Sequence, residues 1–402
     1  FWGQDKLRYG PTDSAENYRV GSIPEVGKWV RLEVPAAALG LEDASIDGMA
    51  FCLYDGAAWW DSAGRSSTNI SRAMLYTEPL VLTKTAVVRF RAVAPGYIPS
   101  RVVTRTYLVD FGGSLPVVSI ATAPADLVSE RSGILVAGAD ASSMPPYYGA
   151  NFWRRWEKAV NAELIDPSST NTFNQVVGLQ VHGNYSRSAP QKSLELHARK
   201  RYGLGKIRCP VFPGVAADEF ETLMLRNGGN DWNRGIMRDY ALQGLVSGLN
   251  LGTQAGRPVH VFLNGEYYGI LNLREFADEN HVTAHFGVSR DNIDMVFGER
   301  EVVAGDMVDY NKLVWFARVN DLQDPAKYAV ATNWIDIDNY IDYEITQIYC
   351  DNRDWPGNNV LCWRSRTGDG RWRWIVDDLD ACFDERDDGP SRNTLSVALW
   401  GE

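Results

Sequence analysis

The sequence predicts an α+β protein in which small all-β modules precede a larger mixed domain, and three observations carry that reading. Residues 1–72 alternate short apolar stretches (KWVRLEV, GMAFCLY) with Gly, Pro and Asp turns and lack helical periodicity. Residues 75–109 alternate with period two, so that Ala86, Val88 and Phe90 make an apolar face and Thr85, Val87 and Arg89 a mixed one. From 113 onward helical and strand patterns interleave. The expected boundaries are therefore 1–72, an all-β accessory region; 73–112, a β-sandwich segment; and 113–402, the mixed domain.

Composition sets limits on function. With 402 residues, 45% hydrophobic and 23% charged, the chain can bury at least one sizeable core. A net charge of -11 argues against general nucleic-acid binding, which needs a clustered basic surface. Five widely spaced cysteines without CxxC argue against a disulfide framework or zinc site, and Cys350, Cys362 and Cys382 read as buried small hydrophobes. No apolar run approaches the roughly 18 residues of a membrane helix. The chain opens on FWGQDK with neither Met nor a signal peptide, the mark of an excised or processed piece, and leaves secretion open.

Individual elements follow in order. Trp59-Trp60 is either a sugar-binding platform or a buried aromatic pair. Asp110-Phe111-Gly112 reads as a linker turn. IMRDYALQGLVSGL (236–249) carries Ile236, Tyr240, Leu242 and Leu245 at helical spacing, and RPVHVFLNGEYYGILNLREF (257–276) reads as a hairpin around Asn264-Gly265. In NWIDIDNYIDYEITQIYC (333–350), Ile337, Ile341, Ile345 and Ile348 are expected to form the apolar face. That helix delivers DNRDWPGNN (351–359). NVLCWRSR (359–366) then reads as a strand turning at Gly368-Asp369-Gly370 into RWRWIVDD (371–378), which sets Asn359 roughly opposite Asp378.

One end of that hairpin would gather Asp354, Asn359, Asp378 and Asp380. Protein kinases use this order of parts: a catalytic Asp, four intervening residues, a metal-holding Asn, then a metal-bridging Asp. Mg2+ wants several oxygens in octahedral geometry, and the attacking hydroxyl needs a carboxylate that binds no metal. The chain contains neither GxxxxGK[ST] nor GxGxxG. LQVHGNYSRSAPQKSLELHA (179–198) is the alternative phosphate-binding stretch, with Ser186, Arg187 and Lys192 as donors and positive charge, or else a solvated basic hairpin.

HGNYSRSAPQKSLEL, LRNGGNDWNRGIMRDYAL, VHVFLNGEYYGILNLREFADE, DNYIDYEITQIYCDNRDWPGNN and GRWRWIVDDLDACF, in that order, resemble the CotH kinase family of secreted or spore-coat-associated atypical protein kinases, from about 117 to the end. The resemblance implies a divergent atypical protein-kinase-like fold and transfer of phosphate from ATP to protein Ser or Thr with Mg2+ or Mn2+. It further implies a protein acceptor and a secreted or cell-surface location. Lys192 resembles the nucleotide-phosphate lysine and Glu275 its acidic partner; Asp354 falls on the loop aspartate, Asn359 on the metal-binding asparagine, and Asp378 with Asp380 on the Trp-Asp-x-Asp pair. Arg226 and Arg238, in LRN and MRD, either stabilise phosphate charge or pack structurally. His182, Gln191, Asp377 and Asp384 depart from the family's usual residues. The sequence also ends before the helices expected to finish such a domain. Residues 75–109 resemble the immunoglobulin-like chitobiase C-terminal module, a spacer that would permit glycan contact.

Other readings stay in view: a catalytically inactive pseudokinase scaffold in cell-surface or carbohydrate attachment, and a kinase for a small molecule or glycan. His281 and His285 have the i, i+4 spacing of a metal pair, but without an HExxH glutamate between them they read as a surface helix. A Ser-His-Asp hydrolase lacks GxSxG.

Overall fold

The computed structural model describes residues 1–402 apart from 8, 9, 29, 31, 42–50, 59–73, 95–98, 299, 384–390, 401 and 402. The chain divides into two units, Phe1–Val81 with Arg91–Arg101, and Leu82–Phe90 with Val102–Glu402. In the first unit the described residues hold a 3-10 helix, Ala36–Leu39, and an isolated bridge between Trp2 and Gly21. Among the described residues of 1–72, the alternation forms no strand beyond that bridge. Val26, Val30, Phe51 and Leu53 are exposed, so the apolar positions find no partner sheet to bury them. Trp59 and Trp60 lie outside the described residues, as does Asp384.

The second unit begins with an antiparallel pair, β1 (Ala86–Phe90) and β2 (Val103–Tyr107), in which Val88 faces Arg105. Polar contacts dock it: Thr106 N donates to Glu163 Oε2 at 2.9 Å and Asn174 Nδ2 to the Thr104 carbonyl at 2.9 Å. Next come β3 (Val117–Ala121), α1 (Pro124–Val128), β4 (Lys158–Ile165), β5 (Phe173–His182) and β6 (Ser193–His197). A short pair, β7 (Ile207–Arg208) and β8 (Glu219–Phe220), precedes β9 (Thr222–Arg226). After α2 (Arg238–Val246), strands β10 (Gly256–Leu263) and β11 (Glu266–Glu275) complete a closed barrel in the order β10-β11-β9-β6-β5-β4-β3. It closes where β3 runs parallel to β10, and β3 (VVSIA) is buried at every position, as a parallel strand should be. Val118, Ile120, Leu179, Leu196, Leu223 and Val261 fill the interior. Asn264 and Gly265 turn the β10-β11 hairpin with φ of 52° and 86°, which the Asn-Gly pair tolerates.

The remaining chain forms α3 (Glu279–Phe286), β12 (Ile293–Phe297), β13 (Glu301–Ala304), α4 (Val308–Val319), α5 (Pro325–Trp334), α6 (Ile337–Tyr349), β14 (Val360–Ser365), β15 (Arg373–Val376) and α7 (Thr394–Trp400). Its sheet runs β13-β12-β14-β15, and Tyr310, Tyr343, Trp355, Trp372 and Trp374 build an aromatic core between sheet and helices. Among the described residues, no helix is long and apolar enough to cross a membrane. The whole is α+β, as the sequence predicts.

Two helices bury different faces from those their isoleucines and leucines predict. In α6 the inward residues are Asn339, Tyr343, Thr346 and Gln347, while Ile341 and Ile345 are exposed. Polar anchors decide the rotation: Asn339 accepts from Trp374 N at 2.6 Å and donates to the Asn250 carbonyl at 2.7 Å. In α2, likewise, Asp239, Leu242, Gln243 and Val246 are buried and Leu245 is exposed. Gln243 bonds the end of β15 and Asp239 the loop that follows it, and those bonds outweigh one leucine. Ile345→Lys is therefore expected to change stability by less than about 0.5 kcal/mol, checked by urea unfolding.

Candidate active site and metal centre

Helix α6 ends at Tyr349, and Asn352, fully buried in the loop beyond, ties the site together. Its Nδ2 donates to the Gln347 side chain at 2.8 Å and to the Asp378 carbonyl at 3.0 Å, while its Oδ1 accepts from Asp354 N at 3.1 Å. Arg353 N donates to the Ala381 carbonyl at 3.0 Å, and Phe383 N to the Cys350 carbonyl at 2.8 Å, so DNRD and DLDACF run side by side. Asp354 Oδ2 accepts from Asn358 and Asn359 Nδ2, each at 3.0 Å. Among the described residues its Oδ1 takes no donor, and Asn359, having given its NH2 to Asp354, keeps its oxygen for a cation. The β14-β15 register pairs Val360 with Val376, which sets Asn359 opposite Asp377, one residue short of the expected Asp378.

The second wall is built around Arg226 at the end of β9. Its Nη2 lies 2.6 Å from Asp378 Oδ1 and 2.5 Å from Asp380 Oδ2, and its Nε 3.6 Å from Asp239. Asp239 also pairs with Arg274 and accepts from Leu379 N at 3.0 Å; Arg238 donates to the Asp380 and Cys382 carbonyls. Asn230 donates twice to Asp380, and a Cβ on Gly229 would overlap that carboxylate, so only glycine fits there. Burial would lower the pKa of Arg226, but the charges of Asp378 and Asp380 outweigh it and raise it instead. Burial, then the charge of Asp378, pushes Asp380 up to about 7, and the same two causes push Asp377 up. Asp378 stays below its usual range because Arg226 more than offsets its burial. Four carboxylates, Asp239 and Asp380 buried and Asp377 and Asp378 partly so, thus face two buried guanidinium groups, Arg226 and Arg274. A divalent cation would balance that excess, and Asp378, 19% exposed against 2% for Asp380, offers the reachable carboxylate.

Lys192 is buried at the start of β6. Its Nζ donates to the Ala189 carbonyl at 2.7 Å and sits 4.1 Å from the Phe152 ring centre, and burial lowers its pKa to about 8. Arg187 donates to the Phe152 carbonyl at 3.0 Å, so these two cations flank one residue, and burial lowers the pKa of Arg187 as well. Ser186 is half-buried beside them. Ser193 Oγ and Asn227 stitch this strand to the Arg226–Gly229 loop.

The expected Lys192–Glu275 pair is not formed. Glu275 ends β11 and lies 2.8 Å from His285 Nε2 and 3.5 Å from His281 Nδ1, and its Oε2 accepts from Ala255 N at 2.9 Å. Helix α3 delivers both imidazoles within ten residues of Glu275, and they claim its carboxylate. Burial would raise the pKa of Glu275, but the hydrogen bond from His285 and the adjacent His281 imidazole outweigh it and hold Glu275 at about 2. His281, expected on a surface helix, is buried, and the missing carboxylate comes from the preceding strand. Among the described residues, Glu275, His281 and His285 form the one group of three His, Cys, Asp or Glu side chains whose ligand atoms lie within 4.8 Å of one another. This cluster could coordinate a divalent metal. Asp354 and Asp378 are joined through Asn352, and Asp354, Asp378 and Asp380 do not form such a group of three. A cavity of about 480 Å³, lined by Arg131, Arg155, Trp156, Lys158 and Arg201 among others, includes none of the predicted site residues.

Sequence reasoning missed Asn352, Asn227, Asn230, Asp239 and Arg274. Asp239 was within reach, since it follows Arg238 in a quoted motif; the others are held by contacts far apart in sequence.

The fold is α+β, with a polar loop after α6 laid against a carboxylate-rich loop after β15. Residues 179–398, more than half of the chain, match the CotH kinase protein family, and the chain belongs to it. Strands β3 and β4 of the barrel precede the matched residues. No curated protein matches the chain.

Proposed function

We propose that the chain transfers phosphate from ATP to protein Ser or Thr with Mg2+ or Mn2+. The observation that carries this reading is the Asp354–Asn359 pair held by Asn352 against a buried cluster with excess negative charge. Asp354 orients or deprotonates the acceptor hydroxyl through its unbonded oxygen. Asn359 and Asp378 hold the cation, with Asp380 behind Asp378; when bound, the cation supplies charge neutralisation for the transferring phosphate. Lys192, a buried ammonium with no carboxylate at ion-pair distance among the described residues, neutralises nucleotide phosphate, with Arg187 and Ser186 beside it. Arg226 and Arg238 hold the DDLD loop. Residues 113–402 form the kinase-like domain in this reading. Residues 1–72 and 73–112 are accessory, the β1-β2 pair belonging to a chitobiase C-terminal-like spacer, and the family supports a cell-surface or secreted setting.

A second reading, a scaffold without activity, draws on Arg226 itself, whose Nη2 bridges Asp378 and Asp380 where a cation would compete. Incubating the chain with labelled ATP, Mn2+ or Mg2+ and a protein acceptor separates the two. Transfer supports the kinase; absence of both transfer and metal-dependent nucleotide binding leaves the scaffold.

Cation binding should also be linked to protons. Burial and the charge of Asp378 raise Asp380 to about 7, and a cation on Asp378 favours its ionised form, so Mn2+ affinity is expected to rise from about pH 6 to about pH 8 and then level off. Calorimetric titrations in buffers of different ionisation enthalpy would show the proton release. Affinity flat over that range would place the cation elsewhere.

A further inference from the structure

We infer that Glu275, His281 and His285 form a transition-metal site of the zinc class, separate from the oxygen-rich cation site of Asp378. Two imidazoles and one carboxylate are a zinc donor set, whereas Mg2+ prefers oxygen alone. The spacing fits: bonds of about 2.0–2.1 Å in a tetrahedron put neighbouring ligand atoms about 3.3 Å apart. The observed separations, 2.8 Å from Glu275 Oε1 to His285 Nε2 and 3.5 Å from Glu275 Oε2 to His281 Nδ1, fall on either side of that value, one on each carboxylate oxygen.

The second observation is His281 itself. It is 4% exposed, neither ring nitrogen makes a hydrogen bond, and 3.5 Å from Nδ1 to Glu275 is too long for a good one. A buried imidazole left without a partner costs stability, and a metal bond repairs it. Glu275 and His281 also line a cavity of about 20 Å³, room for a single water beside them. Ala255 N–H on Glu275 Oε2 supplies the outer hydrogen bond that fixes a metal-binding carboxylate. The neighbouring Gln254 donates to Asp377 at 2.7 Å, so a bound metal would fasten α3 and this turn behind the DDLD loop.

The test uses the tag-free 402-residue chain, stripped with chelator and titrated with Zn2+ by calorimetry, with Co2+ absorption as a report on tetrahedral nitrogen and oxygen ligands. One Zn2+ should bind per chain, resist millimolar Mg2+, and raise Tm by roughly 5 °C at about 100-fold excess over Kd. His281→Ala and His285→Ala should each weaken binding by about 100-fold or more, beyond the loss of an outer-shell partner. His285 keeps 26% of its side chain exposed, so its variant tests the site even where His281→Ala fails to fold. Asp378→Asn should leave Zn2+ binding intact, which separates this site from the proposed kinase cation. Absence of stoichiometric binding, or binding unchanged in His285→Ala, overturns the proposal.

Discussion

Asp354→Asn is expected to cut phosphoryl transfer by about 10²–10⁴-fold, the usual worth of a positioned general base, while ATP and Mn2+ binding change little. The amide is nearly isosteric and keeps an oxygen to accept from Asn358 and Asn359, as Asp354 Oδ2 does now. Asn352 holds the loop through the Asp354 backbone N–H, which the substitution leaves alone. The variant therefore removes the base without removing the fold. A fall in kcat with KM for ATP and Tm unchanged supports the assignment. Transfer that survives in Asp354→Asn moves the base elsewhere; loss of metal and nucleotide binding together would instead make Asp354 a ligand.

The parts of this site that sequence reveals are those set by local geometry. Asp354 and Asn359 lie on one irregular loop, and their contact follows from a spacing of five residues. The Asn264-Gly265 hairpin and the β14-β15 hairpin follow from turn chemistry and period-two alternation. What fails is what depends on partners distant in sequence. Helices α6 and α2 are rotated by buried amides and a carboxylate, Asn339, Gln243 and Asp239, whose partners lie 35 to 140 residues away. Apolar periodicity cannot register such bonds. Glu275 was picked out through the resemblance as the acidic partner of Lys192, and the structure pairs it differently. A lysine 83 positions upstream was preferred to two histidines that α3 brings back against the strand.

Arg226→Met is expected to destabilise the fold by about 3–5 kcal/mol, because it strands buried carboxylates rather than removing a favourable pair. Among the described residues, Arg226 is the one cation that contacts both Asp378 and Asp380 and approaches Asp239. The loss should grow with pH. A carboxyl whose pKa is raised by folding contributes stability below its unfolded pKa of about 4 and loses it as pH rises through the folded value. For Asp380 that folded value is about 7 with the arginine present, and removing a positive neighbour pushes it higher. The Met variant should therefore be nearest to the parent below about pH 5 and furthest from it above about pH 8. Adding Asp380→Asn to Arg226→Met should recover part of the loss, giving a coupling energy of about 0.5–3 kcal/mol in denaturant unfolding. Mn2+ turns the same variant into a test of function. If the guanidinium occupies the cation's place, as the scaffold reading requires, Arg226→Met binds Mn2+ more tightly than the parent and regains stability with it. If Arg226 instead holds Asp378 in position for a cation on its exposed edge, the variant loses stability and Mn2+ affinity together. In that case the excess of buried carboxylates over guanidinium groups is part of a working cation site.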